Sequence, residues 1–449
     1  MSLRPALWSL LLALSLPLAA QGSYAEAFRL VREGQTSASE AVALFRALAA
    51  KHGTPLYVYD ETCNEGQFKA LHEAFAPRFP GLQVHYAVKA NPALEILRLA
   101  RRAGAHPEVV SVGEIELALK AGFRGRDILF TSSSKGPDEI RRAVALDAVV
   151  NIDSAEELEQ LGALSKGLKR PLRISFRINP GVDGHTIHQI NTGVSDSKFG
   201  LHLEEGLALA AYRRALAFPG LKVVGAHCHI GSQLTDPSVY LEGCRKMLGF
   251  AKVLKDELKL ELQWVDLGGG LGIPYQDGQQ VMSAEDLAAA LQPVWEAEVA
   301  KLGYRPALWL EPGRFFVGAS GILVTRVNSV KKTPVKTFVN VDAGFNTLLR
   351  PALYQAYHRV RALGSTGPLT KVDVAGNVCE TGDILAAGRE LPLPAAGDLL
   401  LVLDAGAYGM SMASTYNSRP LPAEVMVRGS KTRLLRGRGR LADLARGQR

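Results

Sequence analysis

Between His85 and Gly313, apolar runs of strand length alternate with longer stretches whose apolar positions recur at helical spacing. The strand-like runs are HYAVKA (85–90), PEVVSV (107–112), DILFTS (127–132), AVVNID (148–153), LRISFRIN (172–179), KVVGAHCHI (222–230), QWVDLG (263–268) and ALWLEPG (307–313). Helical patterns lie between them over Ile115 to Ala121, Asp138 to Leu146, Ala155 to Leu168, Glu204 to Ala215, Val239 to Leu258 and Ala284 to Leu302. Eight strand and helix units in ~230 residues predict a parallel sheet closed into a (β/α)8 barrel.

Beyond Gly313 the long helical patterns stop. Short β-rich runs (Gly321 to Val330, Thr337 to Val341, Val372 to Ala375, Leu399 to Leu403, Ala423 to Val427) are broken by Gly, Pro and Asn. They predict a mainly antiparallel β-sandwich or β-barrel domain, which the strand at Thr54 to Tyr59 is expected to join. The expected organisation is a leader over 1–24, a segment over 25–60 joining the β domain, a barrel over 61–315, and a β domain with a basic tail over 316–449.

A hydrophobic content of 47% with 21% charged residues describes a globular chain able to bury a large core. The formal net charge of +8 suggests nucleic acid only until it is located: eight Lys/Arg and one Asp lie between Arg428 and Arg449. The body is therefore near neutral, and no zinc-finger, RNP or helix-turn-helix pattern accompanies the tail. The four cysteines (Cys63, Cys228, Cys244, Cys379) are scattered without CxxC spacing, so reduced thiols are expected rather than a disulfide framework or a zinc site. Arg4, the apolar run from Ala6 to Ala20 and the small residues after it read as a secretory signal, as a leader from a start placed too far upstream, or as a helix that packs on the body. The run is short for a membrane span, and cytoplasmic residence is expected.

In a barrel of this kind chemistry collects at the C-terminal strand ends, so what each strand end carries decides the reading. Lys89 ends the first strand, Ser111 with Gly113 and Glu114 the second, Asp153 the fourth, and Arg177 with Asn179 the fifth. His227, His229 and Ser232 follow the sixth, Asp266 with Gly268, Gly269 and Gly270 the seventh, and Glu311, Pro312, Gly313 and Arg314 the eighth. A free lysine of pKa about 10.4 is only ~0.04% unprotonated at pH 7, so a nucleophilic Lys89 needs desolvation or a covalent partner; taken alone, a solvated amine fits equally well. The glycine triplet suits an anion cradle or a plain tight turn, and it fails GxGxxG because Ile273 fills the third glycine position. His227 and His229 face one way on a strand, but no third metal ligand stands at a telling distance, so a ring-stacking or core role is preferred to a metal site. Glu311 trails an apolar strand and needs a cationic partner, either a pyridinium N–H or a salt bridge with Arg314 or Arg177. Together, a lysine for an imine, a carboxylate for a pyridine nitrogen, a histidine face and a glycine cradle describe pyridoxal 5'-phosphate.

The motifs HYAVKAN, SVGE, RINPG, SKFGL, HCHIGSQ, DLGGGLG, EPGR, DAGFN, RPALY, CETGD and GAYGMSMASTYNSRP, in this order from about Gly53 to Leu444, resemble diaminopimelate decarboxylase, of the alanine-racemase-like pyridoxal-phosphate enzymes. The resemblance implies that Lys89 holds the cofactor covalently and His229 stacks on its ring. Ser232, Gly268, Gly269, Gly270, Gly313 and Arg314 would surround the phosphate, Glu311 would meet the pyridine nitrogen, and Pro312 and Tyr408 would also touch the cofactor. Arg314, Arg350, Tyr354, Glu380 and Tyr408 are implied substrate binders. The Cys379–Glu380 segment is implied to enter the site of a second subunit in a homodimer, with Cys379 as proton donor. The implied reaction is decarboxylation of meso-diaminopimelate at its D-centre to L-lysine. Related substrates (D-lysine, D-ornithine, arginine, a polyamine precursor) and an inactive regulatory homologue are the alternatives. Glu108 stands where the family often has Asp, a small change at a place read as structural; Phe345 replaces an expected Met, and the leader has no counterpart.

Overall fold

The computed structural model describes residues 23–184, 186–194, 197–204 and 206–448, so the apolar run of the leader lies outside the described residues. Strand β1 (Leu56–Asp60) belongs to the second of two sheets. It is followed by β2 (Gln83–Ala87), β3 (His106–Val109), β4 (Leu129–Phe130), β5 (Val149–Ile152), β6 (Leu172–Asn179), the short β7 (Leu201–His202), β8 (Leu221–His227), β9 (Trp264–Asp266) and β10 (Ala307–Leu310). These pair in parallel in the order β5-β4-β3-β2-β10-β9-β8-β6, and the β5–β6 pairing closes the expected eight-stranded barrel, with β7 added beside β6.

Strands β11 (Gly321–Lys332), β12 (Thr337–Val341), β13 (Val360–Leu363), β14 (Leu369–Ala375), β15 (Ile384–Pro392), β16 (Leu399–Val402), β17 (Ala423–Arg428) and β18 (Lys431–Arg436) join β1 in a nine-stranded sheet. Its pairings are antiparallel except β1–β17 and β12–β14. Side chains alternate across a strand, and β1 shows what that does: Tyr57 and Tyr59 enter the core shared with the barrel, while Leu56 and Val58 face the other way. That outer face is covered by the helices Tyr24–Arg32 and Ser39–His52, whose Phe28 and Phe45 rings lie 5.6 Å apart.

Two expected strand ends are helix starts. β2 stops at Ala87, and Lys89 sits one turn on, in the 3₁₀ helix Val88–Ala90. Ser111 does not end β3: it caps the helix Val112–Lys120, accepting the Glu114 N–H at 3.2 Å, while the Glu114 carboxylate takes the Val110 N–H at 2.8 Å. Ser154 and Glu157 repeat this reciprocal cap after β5. Among the described residues no helix is long and apolar enough to cross a membrane.

Candidate active site

A cavity of about 410 Å³ opens at the C-terminal end of the barrel, where the segment 406–412 of the second domain leans over the Lys89 turn. Tyr408 N–H donates to the Ala90 carbonyl at 2.8 Å and Asn91 Nδ2 to the Gly406 carbonyl at 3.0 Å, which brings Tyr408 and Met412 to the rim. Lys89, His229, Ser232, Glu311, Arg314, Arg350, Tyr354 and Tyr408 all line this one space, although they come from positions 89 to 408.

Lys89 Nζ lies 2.7 Å from Glu108 Oε2. Burial opposes its charge, but Glu108, with Tyr408 and Glu311 behind it, outweighs burial and holds the ammonium above the usual lysine range. Glu108, read from sequence as structural, is thus a site residue: it is completely buried and is bonded on its other oxygen by the Thr131 hydroxyl. Burial and the Glu108 charge also push nearby Glu114 up to about 7.

Glu311 finds neither arginine. Its Oε2 meets His227 Nε2 at 3.1 Å, and Asn151 holds the other His227 nitrogen at 2.9 Å. Burial works to raise Glu311, yet His227 and then Lys89 hold it down at about 2, so the carboxylate is charged. Beside it, burial and the Glu311 charge push Asp266 well above the carboxylate range, so the pair carries one charge rather than two. His227, Asp266 and Glu311 place ligand atoms within 4.8 Å of one another, a grouping from three strands that spacing along the chain conceals. Among the described residues no N–H or hydroxyl donates to Glu311 Oε1, and the protonated Asp266 stands beside the carboxylate. His229 accepts the Gly269 N–H at 3.2 Å on Nδ1, and burial, then Lys89 and Arg177, lowers it to about 3, leaving a neutral ring on the cavity wall.

Arg314 donates to Tyr275 at 2.6 Å and to Ser232 at 2.9 Å, and its buried Nε has no partner among the described residues. Arg350, also buried, donates to His358 Nε2 at 2.8 Å and stands 4.7 Å above the Tyr275 ring. Among the described residues neither guanidinium has a carboxylate in ion-pair contact, a costly arrangement unless an anion arrives.

The glycine triplet packs against His229, Glu311 and Gly231, the residue before Ser232. Gly268 (φ 74°) and Gly270 (φ 110°) occupy the left-handed region, and a methyl on Gly269 would overlap the Glu311 carbonyl. Gly313 packs against the Lys89 turn, where a methyl would press on Ala87 and Ala90 at 3.0 Å. A phosphorylated pyridine aldehyde fits this set: a lysine beside a carboxylate, Glu108, able to take its proton for the aldehyde, the charged Glu311 for the ring nitrogen, a neutral histidine for the ring face, and a guanidinium without a carboxylate partner among the described residues, with a hydroxyl and crowded glycines, for the phosphate.

Cys379 and Glu380 lie elsewhere. Cys379 is exposed, its N–H donating to Asn417 at 2.8 Å, and Glu380 accepts the Tyr416 hydroxyl; neither lines the cavity of its own chain. Phe345 stacks on Tyr416 at 5.6 Å, so the departure from Met touches Glu380 at one remove. Tyr275, Thr131, Asn151 and His358 carried no motif signal, being single polar residues on loops or inward strand positions.

Residues 65–318 match the family model described as pyridoxal-dependent decarboxylase, pyridoxal binding domain. The diaminopimelate decarboxylase of Archaeoglobus fulgidus is 43% identical over 399 residues, 88% of this chain and 93% of that protein. The crystal structure of the Methanocaldococcus jannaschii diaminopimelate decarboxylase superposes with a TM-score of 0.85 at 38% identity, covering 90% of this chain and 94% of the other. That of the Helicobacter pylori enzyme complexed with L-lysine gives 0.83 at 37% identity, covering 90% and 98%. With this similarity along nearly its whole length, the chain belongs to the diaminopimelate decarboxylases, pyridoxal-phosphate-dependent lyases.

Proposed function

We propose that this chain removes carbon dioxide from the D-centre of meso-diaminopimelate and releases L-lysine, the last step of lysine biosynthesis. The observation that carries the reading is the pair of buried guanidiniums, Arg314 and Arg350, with no carboxylate of the described chain to answer them. One cation, Arg314, bonded to Ser232, suits the cofactor phosphate. The second, with Tyr354 beside it, suits a carboxylate at the far end of the substrate, which diaminopimelate has and a simple diamine lacks.

Pyridoxal phosphate, when bound, supplies an electron sink for the pair left at the α-carbon as carbon dioxide departs. The chain's residues do the rest. Lys89 offers the amine for covalent attachment, with Glu108 holding its Nζ inside the cavity. Glu311, kept charged by His227, would face the ring nitrogen, where its negative charge would favour a proton. His229 would support the ring face; Ser232, Gly270, Gly313 and Arg314 would hold the phosphate, with Gly268, Gly269 and Pro312 shaping the turns around it; Tyr408 lines the rim. Burial of these groups excludes water and strengthens each charge interaction.

Exposure of Cys379 and Glu380 outside their own cavity fits a homodimer in which each chain completes its partner's site. There Glu380 takes the distal ammonium and Cys379 donates the proton to the carbon that lost its carboxylate. Mixing inactive Lys89→Ala with inactive Cys379→Ala chains then restores activity, and mixed dimers as dead as their parents refute the sharing. Four free thiols suit a cytoplasmic enzyme. The reaction itself is tested with meso-diaminopimelate carrying ¹³C in the D-centre carboxylate. All label is expected in carbon dioxide with unlabelled L-lysine left behind; label retained in the product refutes the assignment.

A further inference from the structure

Arg350 opens the short helix Arg350–Tyr354, after which Gln355 takes the left-handed conformation (φ 53°) and the chain returns through His358 into β13. β13 pairs antiparallel with β16, Val360 opposite Val402, and Leu403 N–H donates to the Arg359 carbonyl at 2.8 Å, so the backbone around His358 is held against the end of β16. The His358 ring is fully buried, with Nδ1 at 2.9 Å from the Leu403 carbonyl oxygen. A carbonyl only accepts, so Nδ1 carries the proton and Nε2 of the neutral ring presents a lone pair. Arg350 Nη1 donates to that lone pair at 2.8 Å. The Tyr275 ring stands edge-on to His358 at 5.2 Å and under Arg350 at 4.7 Å, bracing both partners.

The residue type matters. A carboxylate in this place would hold the guanidinium equally well but would neutralise it, and a substrate carboxylate would then have to compete. An imidazole lone pair fixes direction and leaves the full positive charge facing the cavity. Burial, then the Arg350 charge, pushes His358 down to about 3, so the lone pair persists at any ordinary working pH.

We propose that His358 is a positioning residue that sets substrate choice: through Nε2 it aims the Arg350 guanidinium at the carboxylate on the far end of the substrate. This rests on the reading of Arg350 given above, and the two can fail separately. L-Lysine and 1,5-diaminopentane differ by that one carboxylate, and calorimetry on the cofactor-loaded enzyme measures how tightly each binds. The wild type is expected to favour L-lysine by at least about tenfold, the worth of one charge-assisted contact. His358→Leu removes both ring contacts; His358→Asn keeps a donor for Leu403 and withdraws the acceptor from Arg350. Both are expected to lose about tenfold of the preference, His358→Gln, whose amide oxygen reaches the Nε2 position, to keep most of it, and all three to show unchanged cofactor affinity and absorption. Should His358→Leu fail to fold, the comparison of His358→Asn with His358→Gln carries the test. Full preference in His358→Asn, or a His358→Gln that behaves like His358→Asn, overturns the positioning role. Equal binding of the two ligands by the wild type overturns the reading of Arg350 itself, before any variant is compared.

Discussion

His85 and His229 are buried toward opposite ends of the barrel, and burial lowers both to about 3. Their neighbours differ. His85 lies against Trp309 at 4.4 Å and His106 at 5.3 Å, and Trp309 stacks on Trp264 at 3.9 Å, with Leu129, Val149 and Val224 filling the layer. Of the two arginines lining that end, Arg126 is exposed to solvent, and Arg173 spends its N–H groups on the carbonyls of Arg126 and Asp147 at 3.0 and 2.6 Å. His229 instead faces Lys89, Arg314 and Arg350, where a carboxylate and an ammonium are paired but two guanidiniums are not. Burial and histidine content therefore do not distinguish the ends. Unanswered positive charge does, and it marks the end built for an anionic ligand.

The sharpest way to break this comparison is to remove one group from each end. Lys89→Ala is expected to lower kcat by at least about a thousandfold and abolish the visible absorption of the cofactor, measured on folded protein. Trp309→Ala at the other end should cost about 3–5 kcal/mol of stability in denaturant titration and leave kcat per folded molecule unchanged. If Trp309→Ala damages catalysis without destabilising, the division between a chemical end and a structural end is wrong.

A pH series sharpens it further. Glu114, raised to about 7 from an ordinary 4.5, keeps a proton in the folded chain that the unfolded chain releases. Its contribution to stability is therefore complete below pH 4.5 and is lost as pH rises through 7. Glu114→Gln should gain about 2–3 kcal/mol on the wild type between pH 4.5 and 8, read from urea midpoints; a constant difference would place Glu114 outside the charged cluster. The smallest effect is that of Glu108→Asp, which withdraws the carboxylate by one methylene from Lys89 and Thr131. A fall in kcat of about tenfold, with stability within about 1 kcal/mol, is the expected outcome in steady-state kinetics and melting.

The barrel was legible because eight β-rich runs at regular intervals admit few other closures, and the site because strand ends of a barrel converge. Lys89, Glu311 and Arg314 could be found that way. What escaped was set by side-chain reach across the fold. Glu108 reads as the penultimate position of a short strand, and only the turn at Val88–Ala90 brings Lys89 Nζ to it. Glu311 was expected to meet a pyridinium N–H or an arginine, but within the chain it is His227, on β8 one strand beyond β9, that reaches it once β8, β9 and β10 are in register. Tyr275 and His358 reach Arg350 from a loop and from the start of β13, contacts that no local periodicity encodes.

The central claim, that Arg350 is left without an anion in order to receive the second carboxylate of the substrate, is tested most directly by carbon dioxide release. Wild type and Arg350→Lys are each supplied with meso-diaminopimelate, D-lysine, L-lysine and L-arginine. The expected result is turnover of meso-diaminopimelate far above the rest in the wild type, and a loss of about 10- to 100-fold on that substrate alone in Arg350→Lys, because an ammonium cannot copy the guanidinium fork. Equal or faster release from any monocarboxylic amino acid by the wild type would contradict it.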